Sequence, residues 1–138
     1  YAAVAGNFGV PVIMVSGDDA TAAEAKVRLG DIETAVVKWA HSFHSATTLT
    51  PKAGQAAIRQ TAERAVQRLL AGEMDPYLVQ TPVDITVRFK HYQPSQILAY
   101  LPIFERIDAH AVRYNAADME EAARTLVFLR NYRADITP

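Results

Sequence analysis

The chain has 138 residues, half of them hydrophobic and 21% charged, with 14 basic and 15 acidic side chains for a net charge of −1. That is enough apolar material for a globular core, too little net charge for a disordered chain, and no basic excess to meet nucleic acid or an anionic membrane. The sequence holds no cysteine, which excludes disulfides and thiolate zinc ligands and fits the cytoplasmic location expected for it. No apolar run approaches the length of a bilayer span, so neither a membrane nor a nucleic acid is expected as a partner.

In chain order, the opening Tyr1-Ala2-Ala3-Val4-Ala5-Gly6 reads as the end of an Ala-rich helix, and suggests a piece of a longer protein. Gly9-Val10-Pro11 is a turn. The unalternating apolar run Val12-Ile13-Met14-Val15 predicts a parallel strand covered on both faces. Ser16-Gly17-Asp18-Asp19 ends it, and either aspartate can cap a helix over residues 20–29 that stops at Gly30. Residues 34–39 form a second β-prone run, which completes a strand-helix-strand unit suited to a right-handed parallel crossover. A polar stretch from His41 to Thr50 reads as a loop. Thr50-Pro51 then opens a helix with a cap and a first-turn proline. Its predicted buried stripe is Ile58, Ala62, Ala65, Val66 and Leu69, and Gly72 closes it.

Glu73 to Pro82 is a loop containing Asp75-Pro76 and Thr81-Pro82. Val83, Ile85, Val87 and Phe89 alternate with Asp84, Thr86 and Arg88, the pattern of a strand with one buried face. A short helix over residues 94–100, a strand over 109–114 and a closing helix complete the chain. Asp118 and Glu121 have capping-box spacing for that last helix. Its apolar stripe is Met119, Ala122, Ala123, Leu126 and Leu129, with Arg124, Arg130 and Arg133 on the solvated side. The expected class is α/β: a strand-helix-strand parallel unit followed by an α+β strand-helix-strand-helix portion, part of a larger two-domain fold. Residues 1–72 are assigned to the end of a doubly wound unit and 73–138 to the smaller portion.

Three residues are candidates for a pocket. Asp18 and Asp19 follow a parallel strand, where α/β sheets bind ligands, and paired carboxylates suit a hard cation or an ammonium; capping and the helix dipole are the plainer alternative and the favoured one. Lys38 ends an apolar strand and could reach a substrate carboxylate, a buried aspartate, or simply solvent. His41 and His44 would share a face if helical, but a zinc site needs more protein ligands than two. No phosphate loop, HExxH or nucleophile-elbow pattern occurs.

The stretch Val4-Ala5-Gly6-Asn7-Phe8-Gly9-Val10-Pro11-Val12-Ile13-Met14-Val15-Ser16-Gly17-Asp18-Asp19 resembles the M55 family of D-aminopeptidases. Thr34-Ala35-Val36-Val37-Lys38, Leu49-Thr50-Pro51, Val112-Arg113-Tyr114 and Ala117-Asp118-Met119-Glu120-Glu121-Ala122 continue the likeness. Between Ala40 and Thr48 the chain departs from the family pattern, with Phe43 where a basic residue is expected. The resemblance implies a zinc-dependent enzyme that removes N-terminal D-residues from short peptides and assembles as a homo-oligomer, a ring of ten in the founding member. It also implies that the zinc ligands and the catalytic histidine lie upstream of the residues present here, so no metal or catalytic role passes to this chain. The alternative is a catalytically silent oligomerisation or interaction module.

Overall fold

A computed structural model describes residues 1–131; Arg133 lies outside them. The chain divides into two compact units, Tyr1–Tyr77 and Leu78–Pro138.

The first unit opens with helix α1 (Ala2–Asn7). It is followed by β1 (Met14–Asp18), α2 (Asp19–Leu29), β2 (Glu33–Ser42), β3 (Ser45–Thr48) and α3 (Pro51–Leu70). The sheet order is β1-β2-β3, with β1 parallel to β2 and β3 antiparallel to β2. The parallel crossover expected from the sequence is present, and Asp18 and Thr50 both cap the helices that follow them. Two expectations need correction. Residues 12–15 are not covered on both faces by the described residues: β1 lies at the edge of this sheet, and Val12, Ile13, Met14 and Val15 are all only half-buried. The stretch from His41 is not a loop. β2 runs on to Ser42 and turns back into β3, as a hairpin whose residues from Lys38 to Thr48 are all exposed.

A third correction concerns α3. Of the expected stripe Ala65 is buried and Ala62 half-buried, but the rest of the buried face is Gly54 and Thr61, with Ala57 and Arg68 half-buried, and not the larger apolar residues. Ile58, Val66 and Leu69 remain 37%, 46% and 38% exposed, so they are not the face that holds the helix to the sheet. Small side chains let α3 lie close over the face of β2 that carries Glu33, Ala35 and Val37. A Cβ on Gly54 would stand 3.9 Å from Val37 Cγ1. At the far end Arg68 donates to the Glu73 carboxylate, the Glu33 carboxylate, and both the carboxylate and the carbonyl of Asp31. Those acceptors hold its guanidinium pKa above the ordinary value, Glu73 first and Glu33 next.

The second unit contains β4 (Val83–Arg88), α4 (Tyr92–Leu98), β5 (Glu105–Asp108), β6 (Ala111–Ala116) and α5 (Met119–Asn131). All pairs in its β4-β6-β5 sheet are antiparallel. The sequence misses β5, so the portion reads strand-helix-strand-strand-helix rather than strand-helix-strand-helix. β5 is a fully exposed edge strand, without the alternation that burial imposes. Val83, Leu98, Phe104, Val112, Tyr114, Ala116 and Ala122 form the core, with Ile85, Val87, Phe89, Met119 and Leu129 packed against it. The alternation of β4 and most of the stripe on α5 are therefore realised, while Leu126 stays 41% exposed.

Two polar ties lock this unit. Ser95, fully buried, holds its single hydroxyl proton between the carbonyls of Tyr92 and Ala109. Glu121 accepts from the Tyr114 hydroxyl at 2.6 Å and the Ala117 amide at 2.8 Å, while its own amide donates to Asp118. The Asp118 half of the capping box is formed, while the Glu121 carboxylate reaches one residue further back, to the Ala117 amide, and takes the tyrosine as well.

Candidate functional site

The three candidate residues come together where β1 ends. β1 passes directly into α2, so Asp18 caps the helix: its carboxylate accepts from the Thr21 amide at 2.8 Å. The Thr21 side chain and amide hold its pKa below the usual carboxylate value, and the nearby Lys38 charge adds to the effect.

The pairing of β1 with β2 slips at this point. Gly17 faces Val36, but Asp18 faces Lys38, so Val37 is an extra residue on β2. Such a bulge bends the strand that carries it. Beyond it β2 has no β1 backbone beside it, and the Asp19 carboxylate accepts the Ala40 amide at 3.3 Å instead. Thus the capping alternative describes Asp18, whereas Asp19 braces a strand 21 residues away, a role no local pattern in the sequence could indicate.

Lys38 enters no ion pair within 4 Å among the described residues. It lines a hollow of about 270 Å³ with Ala40, Ser42, Phe43, His44, Ser45 and Ala46. The hollow has a simple origin. Ala40 and Ala46 are directly opposed across the hairpin, so their side chains share one face, and two methyl groups leave that face low between the longer Lys38 and the turn. His41 and His44 do not share a helical face. His41 Nε2 is 2.7 Å from Thr47 Oγ1, and the His44 ring stands edge-on to Phe43 with centroids 4.6 Å apart. Among the described residues, no three His, Cys, Asp or Glu side chains come together to hold a metal ion, so a zinc centre does not fit the donors these residues supply.

A broader apolar groove of about 670 Å³ lies elsewhere in the same unit, lined by Ala2, Ala3, Val15, Ala25, Leu29 and Tyr77 among others.

The Peptidase M55 family model, described as D-aminopeptidase, matches residues 1–128. The chain belongs to the M55 family of D-aminopeptidases. It is 31% identical over 131 residues to a D-aminopeptidase of Bacillus subtilis (strain 168), covering 91% of this chain and 46% of that protein. Its fold matches the solved structure of the Zn-dependent D-aminopeptidase DppA from Bacillus subtilis, described as a self-compartmentalizing protease. The TM-score is 0.85 at 26% identity, over 99% of this chain and 50% of the other. The chain thus spans about half the length of the relatives it matches. The α/β architecture found here is part of a larger fold in that M55 structure.

Proposed function

We propose that this chain is the C-terminal portion of a zinc-dependent aminopeptidase that hydrolyses short peptides bearing an N-terminal D-residue. The observation that carries the reading is the M55 match across residues 1–128, backed by a fold shared with a Zn-dependent D-aminopeptidase at a TM-score of 0.85. The zinc ligands are assigned to family segments outside these residues, since the described side chains offer no donor cluster. The first unit would contribute the end of a doubly wound sheet, with Lys38 in the substrate pocket, Asp19 bracing the strand that carries it and Asp18 capping the helix at the pocket's edge. The self-compartmentalizing character of DppA supports a homo-oligomer, and the family resemblance suggests a decameric ring in the cytoplasm.

The test takes natively purified protein and measures three things: intact mass under denaturing conditions, zinc content, and release of the N-terminal residue from D-alanyl and L-alanyl p-nitroanilides. Zinc and D-selective hydrolysis should accompany polypeptide beyond the 15.2 kDa of this chain. Stoichiometric zinc with hydrolysis in a homogeneous 15.2 kDa species would overturn the assignment of the ligands. A larger species with neither zinc nor activity would point to the silent module.

A further inference from the structure

We propose that the hollow on the β2–β3 hairpin binds the C-terminal carboxylate of a short peptide, with Lys38 as the charged contact. The peptide origin of the carboxylate rests on the aminopeptidase reading; the anion preference rests on the hairpin itself. From Lys38 to Thr48 the sequence holds one lysine and two histidines and no acidic residue. The seven residues lining the hollow supply an ammonium, an imidazole and two hydroxyl groups. An ammonium with three donors and no acceptor selects an anion, and a charge-assisted contact is roughly twice as strong as a neutral one.

The neighbourhood of Lys38 is arranged to leave that charge available. Asp18 is the acidic group acting on it, but the Asp18 carboxylate is committed to capping α2 through Thr21. Asp19 is committed to the Ala40 amide. The bulge at Val37 sets the register from which Lys38 and Ala40 follow. Lys38 lies opposite Asp18 and is closed into no ion pair within 4 Å among the described residues.

The shape argues for a small organic carboxylate over a phosphate. The floor is two alanine methyls and the wall includes Phe43, surfaces that suit the Cα and Cβ of a terminal residue. Phosphate recognition calls for arginine forks or clustered backbone amides, and the lining has no arginine. About 270 Å³ is below the usual range for a drug-sized ligand, and fits one small terminal residue.

The test is a ¹H–¹⁵N NMR titration of the 138-residue chain with three probes: D-alanyl-alanine, its C-terminal amide, and acetate. The free acid is expected to shift the amides of Ala40, Ser42, Ser45 and Ala46 saturably. The amide form should bind at least about tenfold more weakly, the size of one lost charge-assisted contact. Lys38→Gln should bring the acid down to the level of the amide. Ala46→Leu, which fills the hollow and leaves the charge, should abolish binding with the rest of the spectrum intact. Equal binding of acid and amide, an unaffected Lys38→Gln, or no saturable shift overturns the proposal. Acetate binding as tightly as the peptide overturns the peptide assignment. None of these outcomes depends on zinc or hydrolysis, so this inference and the aminopeptidase reading fail separately.

Discussion

Two glycine-to-alanine substitutions in the first unit should shift stability in opposite directions. Gly6 is buried in α1, and a Cβ built on it would stand 2.0 Å from the carbonyl oxygen of Tyr77 and 2.7 Å from its carbon. Both are backbone atoms, so no side-chain rotation can relieve the overlap, and the two segments must separate by about 1 Å to restore even a tight contact. Overpacking typically costs about 1–3 kcal/mol. The helix propensity of alanine offsets at most about 1 kcal/mol, and less here, because Gly6 is one residue from the end of a six-residue helix. A net loss of about 1–2 kcal/mol follows from those two terms. If the 77-residue unit unfolds on its own, the midpoint should fall by roughly 10 °C. Gly54, by contrast, lies inside α3 with Val37 Cγ1 at an ordinary 3.9 Å. Gly54→Ala should therefore stabilise by about 0.4–1 kcal/mol through the unfolded chain. Trp39, the sole tryptophan, reports this unit by fluorescence in thermal and urea unfolding, and amide exchange over residues 2–7 reports local release of α1. A Gly6→Ala protein with an unchanged midpoint and unchanged protection of α1 would refute the steric argument. So would a Gly54→Ala protein destabilised to the same degree.

In the second unit Leu98 is 1% exposed, and Leu98→Ala should cost about 3 kcal/mol by leaving a cavity, read as faster amide exchange across residues 111–116. Asp108 accepts from Arg88 and the His110 amide, and Glu121 from Tyr114 and the Ala117 amide, so both carboxyls are held below their ordinary pKa values. Depressed carboxyls stabilise the fold above their unfolded pKa, so this unit should weaken as pH falls below about 4, and Asp108→Asn should flatten that acid limb in pH-dependent urea titrations. Burial, then the bond to Glu121, raises the pKa of Tyr114. Its contribution is present below about pH 10 and lost above it, so Tyr114→Phe should remove the alkaline limb. Asp19→Ala should speed exchange at the Ala40 amide while the Thr21 amide, capped by Asp18, stays protected.

Elements with one buried face and a local stop signal are legible in this sequence. β4 shows its alternation because Val83, Ile85 and Val87 face a core that its other residues do not. α5 announces itself through Asp118 and Glu121: Asp118 accepts the Glu121 amide as the box predicts, and the Glu121 carboxylate takes the Ala117 amide in place of that of Asp118. β3 and β5 are illegible for the opposite reason. Every residue of each is exposed, so neither carries a hydrophobic period, and the turn Ser42-Phe43-His44-Ser45 lacks the glycine or asparagine that marks a tight hairpin. The buried face of α3 is read only in part because hydrophobicity and closeness of approach are different quantities. Ala65 belongs to the expected stripe, but Gly54 and Thr61 add little to any apolar pattern, and it is the small size of all three that lets the helix meet the sheet.

The same distinction explains the candidate site. From the sequence, two adjacent aspartates at a strand end are one feature with two competing explanations. In the fold they are two features. Asp18 satisfies the helix that begins beside it, and Asp19 satisfies a strand that has outrun its neighbour. The one-residue slip at Val37 separates their roles, because it releases β2 from β1 just where the chain needs a free edge. A hairpin projecting from that edge is exposed along its length and would be costly to order on backbone bonds alone. The Asp19 carboxylate supplies an anchor at its base, and in doing so fixes the face on which Lys38, Ala40 and Ala46 lie. Structural use of the acidic pair is thus what gives the lysine its setting, and the two readings of the strand end are steps in one arrangement.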